Sequence, residues 1–216
     1  MTRIEPLGDR AFLARFADEA AAAGWVEAVR SAGREGIDEV VLAYDSVAVF
    51  ADPDRVDLDR LEAWLRGVHA PPADPAAGRL VRLPVLYDGD DLAAVAERLG
   101  RSVPEVVALH AGRDYRVFAI GFLPGFPYAG YLPDELAGLP RRDSPRARVP
   151  AGSVAIAGRQ TGVYPQDSPG GWHLLGRTPL RIVDVERGRF PIRAGDRLRF
   201  VPIDEAEFQA RRGELL

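Results

Sequence analysis

Val154-Ala155-Ile156-Ala157, Gly162-Val163-Tyr164 and Trp172-His173-Leu174-Leu175 are three short apolar runs, with glycine and proline clustered around and between them. Runs this short fit buried strands, because a helix needs about ten residues or more to build a face. Gly158-Arg159-Gln160-Thr161 and Pro165-Gln166-Asp167-Ser168-Pro169-Gly170-Gly171, which separate them, are rich in turn-forming residues. Working outward, Leu80 to Leu86, Tyr115 to Ile120, Leu180 to Val185 and Arg197 to Val201 read as further strands. Many short strands separated by Gly/Pro turns predict a closed or nearly closed β-barrel. Two helices interrupt them. The first covers Asp91 to Leu99. The second starts at Ser102, where Ser102-Val103-Pro104-Glu105 is a capping box with proline in the first turn, and ends near Gly112. A short polar helix, Asp204 to Arg212, follows the last strand.

Toward the N-terminus the pattern changes. Ala11 to Phe16 reads as a strand and Ala20 to Arg34 as a helix with Trp25, Val26 and Val29 on one face. Val40 to Tyr44 and Val47 to Phe50 read as two strands joined at Asp45-Ser46, and Asp57 to Val68 as a helix burying Leu58, Leu61 and Leu65. This strand-helix-strand-strand-helix order predicts a small ferredoxin-like α/β unit. His69 to Gly78 holds three prolines and little to bury, so it reads as a linker. The expected fold class is therefore α+β, with an N-terminal α/β domain and linker over residues 1–78 and a β-barrel domain over residues 79–216.

Composition removes whole mechanisms. The 216 residues contain no cysteine, which excludes thiol nucleophiles and thiolate metal sites. All 28 basic residues are arginine, so Schiff-base catalysis and a P-loop lysine are excluded within this chain. Three scattered histidines give no metal-ligand spacing, and no metal is expected. A net charge of −4 does not point to nucleic acid. No apolar run reaches the roughly 18 to 20 residues needed to cross a bilayer. The opening residues lack an apolar signal core, and a cytoplasmic location is expected.

Residues 121–179 hold ten of the 22 glycines and nine of the 18 prolines, which makes their loops stiff enough to hold polar groups in place. Gln160, Thr161 and Tyr164 lie in one such turn region, and Trp172, His173, Arg177 and Thr178 in another. In an extended segment His173 and Arg177 share a face, an arrangement suited either to a carboxylate or carbonyl ligand or to a structural contact. Arg141-Arg142-Asp143-Ser144-Pro145-Arg146-Ala147-Arg148 places four arginines in one loop, readable as a solvated loop partnered by Asp143, an anion site or a subunit contact. Gly121-Phe122-Leu123-Pro124-Gly125-Phe126-Pro127-Tyr128 puts aromatics on a rigid loop, as core packing or as a docking face.

Those residues carry a resemblance. The 121–128 run, Arg148 to Gly158, Gln160 to Pro165 and Ser168 to Pro179, in this order, resemble the family of 5-oxoprolinase B subunits. That family is also called allophanate hydrolase subunit 1 or KipI-like. Gly8-Asp9-Arg10-Ala11 and Tyr44-Asp45-Ser46 extend the resemblance to the first unit. It implies a cyclophilin-like barrel and two partners, subunits A and C, with which 5-oxo-L-proline is opened to L-glutamate using ATP. ATP would be bound in the assembled complex rather than by this chain alone. The catalytic candidates are His173, Arg177 and Tyr164; the substrate-binding candidates are Arg148, Gln160, Thr161 and Trp172. Two other family roles are a carboxyltransferase subunit of urea carboxylase type, which would involve biotin, and a KipI-like inhibitor of a sensor histidine kinase. Tyr87 to Leu92 is shorter than the family's usual loop at that place.

Overall fold

Asp18 and Asp57 start the two helices of the N-terminal unit, each accepting a backbone N–H from its helix's first turn. Helix α1 (Glu19–Ser31) buries Trp25, Val26 and Val29, and α2 (Leu58–Gly67) buries Leu61 and Leu65. The computed structural model describes residues 3–74 and 77–216, and the chain divides into two compact units, Met1–Ala77 and Gly78–Leu216. In the first unit β1 (Arg3–Pro6), β2 (Ala11–Arg15), β3 (Ile37–Ala43) and β4 (Ser46–Ala51) form a sheet ordered β1-β2-β4-β3, antiparallel at every pair. The expected strand-helix-strand-strand-helix order is the part from β2 to α2. Strand β1 is an addition, and it takes the edge beside β2. Of the proline-rich stretch expected to link the units, residues 75 and 76 lie outside the described residues. Residues 71–73 run along α1, where Ala73 N–H donates to the Ala20 carbonyl at 2.9 Å. Gly24 has no room for a Cβ beside the Pro71 carbonyl. That part of the stretch is anchored to the first unit, not a free tether.

The second unit is built on a seven-stranded sheet. Its strands are β5 (Leu80–Val85), β6 (Tyr115–Ile120), β7 (Pro127–Gly130), β9 (Ser153–Ala157), β10 (Gln160–Val163), β12 (His173–Arg177) and β13 (Arg197–Pro202), in the order β12-β9-β10-β7-β6-β13-β5. All pairs are antiparallel except β13 with β5. The two edges meet where Leu86 and Arg177 exchange both backbone hydrogen bonds at 2.9 Å, so the barrel is nearly closed. Inside lie Leu83, Val85, Val117, Val154, Ile156, Leu175, Leu198 and Phe200. Helices α3 (Leu92–Arg98) and α4 (Val103–Ala111) add Val95 and Val106 to the same core. The capping box at Ser102 is present, with Ser102 N–H donating to Glu105 at 2.7 Å. A third helix, α5 (Glu205–Ala210), follows β13.

One expected strand is replaced. Leu180 to Val185 makes only isolated bridges, Arg181 with Leu215 and Asp184 with Arg189. Leu180 and Ile182 are buried as the apolar pattern requires, but Arg181 N–H donates to Glu214 O and Arg189 N–H to Asp184 O, not to a sheet neighbour. Apolar periodicity reports burial, and here burial comes without a ladder. Three strands of this unit go beyond the sequence pattern: β7, and the small pair β8 (Arg146–Val149) with β11 (Ser168–Gly170). Their prolines, glycines and arginines hide them from a propensity reading.

Candidate functional site

Strand β9 is buried on both faces. Val154 and Ile156 point into the barrel, while Ala155 and Ala157 lie under a second cluster with Phe126, Val149, Tyr164, Trp172 and Leu174. The two alanines leave room above the sheet for large rings. Phe126 meets Tyr164 at 5.2 Å, Trp172 at 5.4 Å and Tyr128 at 5.0 Å between ring centroids, each edge to face. Gly162 makes this possible, because a Cβ there would sit 2.8 Å from the Phe126 ring. Gly170 likewise lies against the Tyr164 ring with no space for a side chain.

These rings floor and wall a pocket of about 230 Å³, lined also by Phe122, Arg141, Pro145, Pro169, Gly170 and Gly171. Phe122 stands at its edge, 59% exposed and with φ +66°. A bulky residue in the left-handed region is held there at a cost of about 1–3 kcal/mol, and such residues cluster at ligand sites. Burial pushes the Tyr164 phenol above its ordinary range, so it stays protonated.

The arginine loop is organised by one carboxylate. Asp91, at the start of α3, is 4% exposed and accepts Arg146 at two oxygens (both 2.9 Å), Arg142 at 2.6 Å and the Leu174 N–H at 2.8 Å. Burial opposes its charge, but the Arg146 fork, the Leu174 N–H and the two guanidinium charges win and hold the carboxyl below the usual range. The Arg142 backbone N–H also donates to the Gly171 carbonyl at 2.8 Å, which docks the loop beside the glycine pair. Arg148 pairs instead with Asp167, which also accepts the Ala151 N–H. The partners are thus Asp91 and Asp167, not Asp143: Asp143 forms no ion pair among the described residues, because the loop folds back onto α3 and β11. Arg141, exposed at the pocket, has no ion-pair partner among the described residues.

The residues singled out in the sequence separate into three groups. Tyr164 and Trp172 face the pocket. Thr161 lies inside the barrel, where its Oγ1 donates to the Ala155 carbonyl at 3.1 Å and accepts His110 Nε2–H at 2.8 Å; Tyr87 O–H in turn donates to His110 Nδ1 at 2.7 Å. His110 stacks on Phe200 at 4.5 Å, and burial pushes its pKa down to about 3, so it is neutral. The others sit apart from both. His173 Nε2–H donates to the Pro140 carbonyl at 2.8 Å. Arg177 pairs with Asp88 at 2.8 Å and covers the Phe208 ring at 4.3 Å. The alternation expected to put His173 and Arg177 on one face is broken by a register shift between Leu174 and Gly176. Gln160 pairs with Ala157 and Gly130 in β10, and Arg148 is at the surface on β8.

Sequence reasoning passes over Asp91 and Arg141. Asp91 reads as the end of a shortened loop and the start of a helix, and nothing local marks a carboxylate whose partners lie more than fifty positions away. Arg141 reads as one arginine among four; what distinguishes it is that the other three are paired with carboxylates on other elements. Chemically, the pocket offers an apolar lining with Phe122 as its exposed ring, and one cation. It carries no carboxylate, imidazole or thiol to act as base or nucleophile among the described residues. Among the described residues no cluster of His, Asp and Glu could hold a metal ion, and no helix is long and apolar enough to cross a membrane.

Residues 2–191 match the family described as carboxyltransferase domain, subdomain C and D. The B subunit of 5-oxoprolinase from Escherichia coli O157:H7 is 41% identical over 84% of this chain and 85% of its own length. That of Bacillus subtilis is 37% identical over 98% and 97%. Among solved structures, TTHA0988 superposes with a TM-score of 0.81 at 41% identity, covering 94% of this chain, which spans 41% of the TTHA0988 chain. Urea carboxylase of Kluyveromyces lactis shares the fold at 18% identity, with a TM-score of 0.65 over 97% of this chain and 22% of that one. The family match over residues 2–191 and the identity to these B subunits over most of both chains lead to one conclusion: this chain belongs to the carboxyltransferase-domain (subdomain C and D) family, within its group of 5-oxoprolinase B subunits.

Proposed function

We propose that this chain is the B subunit of an ATP-dependent 5-oxoprolinase, acting in the cytoplasm with subunits A and C to open 5-oxo-L-proline to L-glutamate. The observation that carries the reading is the near-complete match, in both directions, to relatives named as the B subunit of 5-oxoprolinase. The pocket supports a share in the reaction rather than the whole of it. Resonance makes a lactam carbonyl a poor electrophile, so opening it requires activation and a base, and the pocket lining offers neither. This pocket does not suit ATP: about 230 Å³ is below the roughly 300–1,000 Å³ of sites for drug-sized ligands, and a single unpaired arginine is a poor match for a triphosphate. ATP is in this reading handled in the assembled complex, not by this chain alone. In this reading the barrel is cyclophilin-like, and the N-terminal unit is a ferredoxin-like variant in which β1 takes the edge usually filled by a strand after the second helix.

Turnover of 5-oxo-L-proline by co-expressed subunits A and C, with and without this chain, tests the proposal. Loss of ATP-dependent glutamate formation on omission is expected; undiminished turnover refutes it. In the same complex His173→Ala and Arg177→Ala test the two candidates that lie away from the pocket, and wild-type rates in both remove them from the reaction. The likeness to urea carboxylase favours one second reading, a carboxyltransferase subunit working with biotin. Carboxyl transfer from carboxybiotin to urea by the complex, with no 5-oxoprolinase activity, would select it.

A further inference from the structure

The pocket on the outer face of β9 and β10 has a composition that restricts its occupant. Beneath it lie edge-to-face rings, with Phe126 at the centre and Tyr164 and Trp172 beside it, all buried, while Phe122 stands exposed at the mouth. A volume of about 230 Å³ leaves room for one small ring and a substituent. Glycines 170 and 171 form one wall, Gly170 packed on the Tyr164 ring and Gly171 facing Pro145.

Charge supplies the second restriction. The loop brings Arg141, Arg142, Arg146 and Arg148 close together in sequence. Asp91 pairs with both Arg142 and Arg146, Asp90 lies 3.8 Å from Arg146, and Asp167 pairs with Arg148. Among the described residues Arg141 alone of the four has no ion-pair partner, and it is the one that lines the pocket. The same salt bridges that consume its neighbours fix the loop: Arg142 is held both by Asp91 and by the Gly171 carbonyl. The guanidinium at the mouth is thus carried by an anchored backbone, which lowers the cost of ordering it on a ligand.

We infer that this pocket binds a small cyclic carboxylate, with the ring against Phe122 at the mouth, above the buried rings of Phe126, Tyr164 and Trp172, and the carboxylate on the Arg141 guanidinium. Given the activity proposed above, on which this identification rests, the occupant is 5-oxo-L-proline itself, held by its carboxylate while its lactam faces whatever group completes the site. The specificity follows from the parts. A ring without a carboxylate loses the charge-assisted hydrogen bonds, and a carboxylate without a ring loses the stacking.

Trp172 is the only tryptophan of the second unit, so its emission reports entry of a ligand. The full-length chain, alone and in complex with its partner subunits, is titrated with 5-oxo-L-proline, cyclopentanecarboxylate, 2-pyrrolidinone and acetate, with calorimetry in parallel. Saturable changes are expected with the two cyclic acids, at least ~10-fold weaker binding of 2-pyrrolidinone and acetate, and a ~10- to 100-fold loss of cyclic-acid binding in Arg141→Gln. Binding of 2-pyrrolidinone should be the same in that surface variant as in the wild type. No saturable binding in either preparation, or equal binding by Arg141→Gln, overturns the inference. The two readings fail separately: a complex that turns over 5-oxo-L-proline with an unchanged KM in Arg141→Gln sinks the pocket assignment alone. Cyclic acids bound through Arg141 by a complex that opens no lactam sinks the proposed activity alone.

Discussion

At Thr161 one oxygen serves two bonds, accepting from His110 and donating to Ala155. Replacing it by valine keeps the shape and removes the acceptor. The His110 Nε2–H is then left without a partner where no water reaches it. Such an orphaned donor costs about 1–3 kcal/mol, whereas Thr161→Ser, which keeps the hydroxyl, should cost less. Urea denaturation of the two variants measures the difference, and a Thr161→Val loss no larger than that of Thr161→Ser would show that the hydroxyl is not the reason threonine stands there. The residue is legible in the sequence as special, but not in its role. Its position between two turns resembles a ligand site, but the choice between the barrel interior and the outer face is set by register with β9 and β7, which depends on residues far along the chain. Tyr164 and Trp172 are legible because bulky rings bracketed by glycines imply a backbone shaped to receive them.

The elements differ in how far local sequence determines them. Helices α1, α2 and α4 carry their caps beside them, and their apolar faces repeat every three or four residues, so their existence is readable within a dozen positions. Strands β8 and β11 have no such autonomy. They are a polar pair that exists because Asp91, on a different element, gathers the arginine loop against β12. Asp91→Asn tests that dependence. The amide can still accept the Leu174 N–H, but the charge facing Arg142 and Arg146 is gone. Because both guanidinium groups remain partly in contact with water, the loss should be about 2–3 kcal/mol, below that of a fully buried pair. The loop should open before the barrel does. Trypsin cleavage at Arg142 or Arg146, mapped by mass spectrometry under native conditions, is expected to accelerate at least ~10-fold; cleavage at the wild-type rate would mean that the clamp does not hold the loop.

At the scale of the whole molecule, acid should act on the barrel in two stages, and the order follows from where its charges lie. His110 is neutral in the folded chain because burial against Phe200 and Tyr115, with Tyr87 O–H and Thr161 filling its ring nitrogens, lowers its pKa to about 3. In the unfolded chain it titrates near the ordinary histidine value of about 6.5. As pH falls below that value the unfolded state takes up a proton that the folded state refuses. Stability from this group is therefore full above about 6.5 and falls by about 1.4 kcal/mol per pH unit until the folded pKa is reached. Asp91 has the opposite charge but the same sign of effect. Its folded pKa lies below the unfolded value near 3.9, so its contribution persists until the pH drops under that value and is lost through the folded pKa. The histidine should thus weaken the barrel first, with the arginine loop still clamped, and loss of the clamp should follow only in stronger acid. Two measurements check the sequence of events. The His110 ring protons, followed by NMR, should not titrate between pH 7 and about 4.5 while the protein is folded. Over the same range, unfolding free energies should decline with a slope that includes about one proton more than in His110→Gln, in which the amide can still donate to Thr161 and accept from Tyr87. A folded-state titration of His110 centred near 6.5 would overturn the account, since a histidine that gains a proton without unfolding the barrel is not sealed in its core.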